Sequence, residues 1–189
     1  MGVVYMALRT KPLVLGQDAV VGYVAAEEVS SSLKTDAGTY LDIGPANEEA
    51  NILFIFYPGG LVRPQAYEWL GVLLAPLGVR TLIPEMPFDL AVTAINRADK
   101  LIEQNPLETV IIGGHSLGGA MASRYALNHA DKVKGLVLMG AFSARGDDLS
   151  ELDLATLVLA AERDGLATLS EVRDGLGRLP KPQLVEIPG

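Results

Sequence analysis

The sequence predicts an α/β protein: a mostly parallel sheet with helices on both faces and an antiparallel hairpin at its N-terminal side. Three observations carry this. From Asn51 onward, apolar runs of strand length alternate with segments of helical period across short loops. The run at 52–57, Ile-Leu-Phe-Ile-Phe-Tyr, shows no polar alternation, as in a strand buried on both faces. Before Asn51, two short strand-like runs flank a turn, Thr35-Asp36-Ala37-Gly38.

The elements follow in order. Residues 19–25 fit either a strand or a short helix, and their period does not choose between them. Residues 29–34 and 39–43 read as a hairpin, closed by a second turn at Gly44-Pro45-Ala46-Asn47. Strand 52–57 is followed by helix 64–77 and strand 81–84. Residues 89–104 carry Leu90, Val92, Ile95, Ala98, Leu101 and Ile102 near helical period, with Asp89 as the expected N-cap. Strand 109–112, helix 117–129, strand 133–139, strand 157–160, helix 169–179 and strand 183–187 complete the chain. Parallel strands need such crossovers, and the alternation supplies them. No repeat or linker interrupts it, so residues 1–189 read as one domain.

Composition narrows the function. Hydrophobic residues make up 49% of the 189, which excludes intrinsic disorder. Asp+Glu outnumber Lys+Arg by 23 to 15, giving a net charge of −8 and a pI near 4.7. That balance argues against nucleic acid and anionic membranes as partners. There is no cysteine, which excludes disulfide scaffolds, thiol catalysis and iron–sulfur clusters. The apolar runs at 52–57 and 154–161 fall far short of the roughly 18 residues of a membrane span. No signal-peptide pattern opens the chain, so the expected location is the cytoplasm.

In open sheets, ligands sit at the carboxyl ends of the strands. One such segment is Gly113-Gly114-His115-Ser116-Leu117-Gly118-Gly119, which lies between an apolar strand and a helix. It contains Gly-x-Ser-x-Gly as Gly114, Ser116 and Gly118. A turn this sharp lifts a serine hydroxyl to its apex, and the glycines let strand and helix nearly touch. The Leu117 N–H, at the helix start, can then face a developing oxyanion. No Gly-Lys-Ser/Thr follows, so the segment is not a phosphate loop. The glycine spacing also fails the dinucleotide fingerprint.

At these residues the chain resembles the α/β-hydrolase family, in particular its small lidless branch of dienelactone hydrolase-like proteins. The resemblance begins near Leu53. It is carried by Phe56-Tyr57-Pro58-Gly59-Gly60, Ile83-Pro84-Glu85-Met86-Pro87, residues 113–120 and Glu162-Arg163-Asp164-Gly165-Leu166-Ala167. It implies an α/β-hydrolase fold and a second oxyanion donor at Gly59 or Gly60, because Pro58 has no N–H. It implies Asp164 as the acid that orients a histidine, with Glu162 as the fallback. Tyr57 either packs in the core or lines the site. Glu85, where relatives tend to be basic, could contact substrate.

The base is the exception. His115 and His129 are the two histidines. His115 is adjacent to Ser116 on a tight turn and should project elsewhere. His129 lies thirteen residues on, about 20 Å along a helix. The resemblance places the base in a loop after the last strand, followed by a covering helix. The expectation is therefore that the sequence is a truncated record of a longer protein, with that histidine and helix beyond Gly189. The roughly fifteen residues between 139 and 156 leave no room for a lid, and Asp147 and Asp148 there are expected to be solvated.

The implied function is a serine hydrolase that opens a carboxylic ester, lactone or thioester through an acyl-enzyme on Ser116. Its partner is a small-molecule acyl substrate, and no cofactor or metal is called for. The alternative is a non-catalytic relative of the same fold that binds a ligand or partner, if the chain truly ends at Gly189. A third reading keeps the triad and changes the chemistry, to a lyase or a cofactor-free peroxidase.

Overall fold

The computed structural model describes residues 28–189, and the expectation for 19–25 lies outside them. The described strands are β1 (Val29–Lys34), β2 (Tyr40–Pro45), β3 (Ile52–Tyr57), β4 (Val79–Pro84), β5 (Thr109–His115), β6 (Gly135–Met139), β7 (Ala155–Ala161) and β8 (Pro182–Ile187). The helices are α1 (Glu68–Leu74), α2 (Arg97–Gln104), α3 (Leu117–Asn128) and α4 (Leu169–Gly175). One sheet contains all eight strands in the order β1-β2-β4-β3-β5-β6-β7-β8. β1 pairs antiparallel with β2, and β2 antiparallel with β4. Every pairing from β4 through β8 is parallel. The expected hairpin and parallel sheet are both present.

β3 shows why its sequence is apolar throughout. Leu53, Ile55 and Tyr57 point into the larger core, against Leu101, Ala122 and Tyr125 of α2 and α3. Phe54 and Phe56 point the other way, into a smaller core with Ile43, Ile83 and Tyr67. A strand at the centre of a helix-covered sheet has no face for polar residues. Each fully buried large side chain there contributes about 1.5–3 kcal/mol. β1 is the contrast. Among the described residues it is an edge strand, Val-Ser-Ser-Ser-Leu-Lys, and mostly exposed.

Two faces are covered unequally. α2, α3 and α4 contribute to the larger core. On the opposite face α1 lies over the β2–β4 side. Farther along that face, Ile111, Val137, Met139, Leu157 and Leu159 join Leu70 of α1 around an apolar cleft of about 290 Å³.

Two local expectations change. The helix expected over 89–104 is formed only over Arg97–Gln104. Single 3₁₀ turns, Pro87–Asp89 and Ala91–Thr93, precede it. Phe88 (φ 56°) and Asp89 (φ 55°) are both left-handed, which no helix start accommodates. Asp89 therefore caps nothing, and its carboxylate pairs with Arg63 Nε at 3.1 Å. The second change is at Asp147, which is buried rather than solvated. It forms a two-bond pair with Arg124 of α3, at 2.9 and 3.1 Å, and ties the loop after β6 to that helix. Asp148 is exposed, as expected.

Candidate active site

β5 ends at His115 and α3 begins at Leu117, so Ser116 alone makes the turn between them. Its backbone is at φ 51°, ψ −122°, a region that costs a non-glycine residue about 1–3 kcal/mol. The surroundings hold it there. Ser116 N–H donates to Met139 O of β6 at 3.0 Å, and Ser116 O accepts from Ala120 N–H at 3.1 Å. The flanking glycines are sterically required. A Cβ on Gly118 would stand 2.2 Å from Tyr57 O, and one on Gly114 2.5 Å from Gly118 C. The close approach of strand and helix that the motif implied is thus measured in atoms.

Ser116 is half-buried and opens on a cavity of about 280 Å³ lined by Leu117, Gly140, Phe142, Leu166 and Ala167 among others. Leu117 is the first residue of a twelve-residue helix. Its N–H has no intrahelical carbonyl to meet and lies at the positive end of the helix dipole.

The loop after β3 brings backbone amides to the same place. Gly59 N–H donates to the Tyr67 hydroxyl at 3.1 Å, and Leu61 N–H donates to Asp89 O at 2.8 Å. Gly60, between them, is half-exposed and sits against Leu117, with its Cβ position 3.4 Å from Leu117 Cδ2. Among the described residues its N–H makes no hydrogen bond. Of the two glycines, only Gly60 therefore presents an unspent amide.

Asp164 follows β7, and its Oδ1 accepts from Leu166 N–H at 2.8 Å and Ala167 N–H at 3.0 Å. Those two amides hold its carboxyl below the usual carboxylate range, with nearby His115 adding to the effect and partial burial opposing it. Its other oxygen, Oδ2, lies 3.0 Å from where a Gly140 Cβ would stand. His115 Nε2 is 3.5 Å from that same point. Glu162 is exposed.

Both histidines are occupied. His115 Nδ1 meets the Tyr67 hydroxyl at 2.8 Å. Burial lowers its pKa from the ordinary imidazole value, and the Asp164 charge opposes that shift. His129 stacks on Tyr125, with ring centroids 4.3 Å apart, and lies 3.8 Å from Asp99.

Tyr57 is a core residue and not a substrate contact. It is 0% exposed, its hydroxyl donates to Ile95 O at 2.6 Å, and it accepts from Ala98 N–H at 2.9 Å. That hydroxyl anchors the start of α2 where no side-chain cap does. The Tyr57→Phe chain should lose about 1–3 kcal/mol, the cost of leaving buried backbone groups unpaired. A urea unfolding midpoint equal to that of the unaltered chain would contradict it.

Glu85 pairs with Arg63 at the carboxyl end of β4. Both line a cavity of about 510 Å³ with Phe88 and Arg97.

Tyr67 is the site residue that sequence reasoning missed. In sequence it is one aromatic of a helical run, and its contacts to residues 8 and 48 positions away exist only in the fold. Among the described residues no group of three or more His, Asp or Glu is placed to hold a metal ion, and no helix is long and apolar enough to cross a membrane.

The arrangement brings together a half-buried serine on a strained turn, the Leu117 amide next to it, the unbonded Gly60 amide of the loop packed against Leu117, and the Asp164 carboxylate beside Gly140, which lines the same cavity. A family model described as the alpha/beta hydrolase family matches residues 53–189. No curated protein matches the chain. The matched residues run from β3 to the end of the chain and include the serine turn, the glycine loop and the Asp164 loop, and the chain belongs to the alpha/beta hydrolase family.

Proposed function

We propose that this chain is a serine hydrolase acting on a carboxylic ester, lactone or thioester of a small molecule. The observation that carries the reading is the backbone of Ser116, held at φ 51° beside the N-terminus of α3. Strain of this kind persists only where surrounding structure enforces it, and it serves to present the hydroxyl. Ser116 Oγ attacks the carbonyl carbon. The carbonyl oxygen takes the charge and is met by the N–H groups of Leu117 and Gly60. An imidazole seated between Asp164 Oδ2 and Ser116 accepts the serine proton and returns it to the leaving group. Water then cleaves the acyl-enzyme by the same route.

The position for that imidazole is set by Asp164. β8 leads to it: Glu162 N–H donates to Ile187 O at 2.9 Å, and Gly189 lies against Arg163. With His115 and His129 engaged elsewhere, this chain should react slowly with an alkyl fluorophosphonate, and free imidazole should accelerate it about tenfold or more. That is part of the roughly 10²–10⁴ that a positioned base supplies. The Asp164→Asn chain should lose most of that acceleration. Mass spectrometry of the labelled peptide reads both results. No label on Ser116 in a folded protein, with or without imidazole, rejects the reading.

The non-catalytic reading rests on the engagement of His115 and His129 away from Ser116. It predicts that imidazole changes nothing.

A further inference from the structure

The partly buried Tyr67–His115 pair behind the glycine loop has no part in the steps above. Tyr67 ends the 3₁₀ turn Pro64–Tyr67 that leads into α1. It packs on Phe56, centroids 5.0 Å apart, and its ring is 5.8 Å from that of His115. Its oxygen is shared by two partners, Gly59 N–H and His115 Nδ1.

Of the two arrangements open to this pair, one uses every proton. Gly59 N–H can only donate, so the tyrosine oxygen accepts it. The hydroxyl proton has no other partner among the described residues, and it is used when His115 Nδ1 is the acceptor. That is the neutral tautomer with its proton on Nε2. Nε2 lies on the side of Gly140 where Asp164 Oδ2 stands, and a carboxylate there favours a proton on that nitrogen. Among the described residues, the titratable groups facing the ring are Tyr67 from the turn before α1 and Asp164 from the loop after β7.

The packing leaves the loop little freedom. A Cβ on Gly59 would stand 2.7 Å from His115 Nδ1 and 3.0 Å from the Tyr67 hydroxyl. The peptide is pressed directly against the pair. With the Gly59 amide bonded to Tyr67 and the Leu61 amide tied to Asp89 O, the Gly60 amide between them is the one left unbonded, in a residue packed against the Leu117 side chain.

We propose that Tyr67 and His115 are positioning residues of the oxyanion site: the pair fixes the Gly59 peptide and thereby aims the Gly60 N–H at the carbonyl oxygen. His115, next to the nucleophile in sequence, acts through Tyr67 rather than on the serine. This inference rests on the serine hydrolase reading.

The test uses the full chain, with free imidazole present. In the Tyr67→Phe chain the second-order rate of fluorophosphonate labelling at Ser116 should fall roughly 10–100-fold, as expected when an oxyanion donor is misplaced. With a p-nitrophenyl ester the loss should appear in kcat, with KM little changed. His115→Ala should show the same loss, and the double variant should be no worse than either single one, because the two act as one unit. His115→Asn places an acceptor oxygen near the Nδ1 position and should restore most of the rate, which a purely structural role would not require. Wild-type kcat in Tyr67→Phe overturns the inference and leaves the hydrolase reading standing. If the unaltered chain does not label at all, the hydrolase reading fails instead. The inferred hydrogen-bond arrangement is then decided by ¹⁵N NMR of His115 at pH 8. An unprotonated Nδ1 supports it, and a protonated Nδ1 overturns it.

Discussion

The Ser116→Ala chain is expected to take no covalent label from an alkyl fluorophosphonate, with free imidazole present, where the unaltered chain is labelled. In a complete triad the nucleophile alone accounts for about 10⁶ in kcat. Here the readout is simpler, since the labelled peptide shows whether residue 116 carries the label. The substitution is a clean one. Ser116 reaches its conformation through backbone bonds to Met139 O and from Ala120 N–H, which alanine keeps. Alanine also bears the same positive-φ strain as serine, so stability should stay within about 0.5 kcal/mol. Loss of label with an unchanged melting temperature assigns the chemistry to the hydroxyl. Label retained on another serine would move the site elsewhere and end the proposal.

Gly118→Ala carries the largest expected effect on stability. Its added methyl would stand 2.2 Å from Tyr57 O and 2.3 Å from Pro58 O, both backbone atoms at the end of β3. A flexible side chain could swing away, but a central strand cannot. Overpacking usually costs about 1–3 kcal/mol, and a clash with two carbonyl oxygens belongs at or above the top of that range. For a chain of this size that lowers Tm by roughly 6–12 °C. Labelling of Ser116 should fall as well, since the helix start carrying Leu117 N–H must shift. Gly146→Ala is the control, because a Cβ there meets nothing within 4 Å, and its Tm should hardly move. Equal melting temperatures for the two variants would show that α3 does not lie as close to β3 as described.

Sequence and structure agree best where the signal is local. The unbroken apolar run of β3 announced a strand covered on both faces, and the two cores receive its alternate residues. The turn and the two runs around it announced the hairpin, and β1 and β2 pair as expected. Agreement was poorer over 89–104, where the apolar spacing is helical but Phe88 and Asp89 are left-handed and the helix begins eight residues late. Period records which residues want burial. It does not record two left-handed residues at 88 and 89, or an Asp89 side chain spent on Arg63.

The sequence by itself determined the order of strands and helices, and it determined that a serine stands between two glycines at a strand-to-helix turn. These are short-range properties of side-chain volume and backbone freedom, and they survive without knowledge of neighbours. Only the tertiary structure decided that Tyr57 lies in the core, because its partners Ile95 O and Ala98 N–H come from another segment. Only the tertiary structure shows that the Tyr67 hydroxyl takes the Gly59 amide and that the Gly60 amide is left unbonded among the described residues. And it alone turned His115 from the neighbour of a serine into the partner of a tyrosine 48 residues away. Hydrogen-bond supply is a count over everything within reach, and what lies within reach is set by the fold.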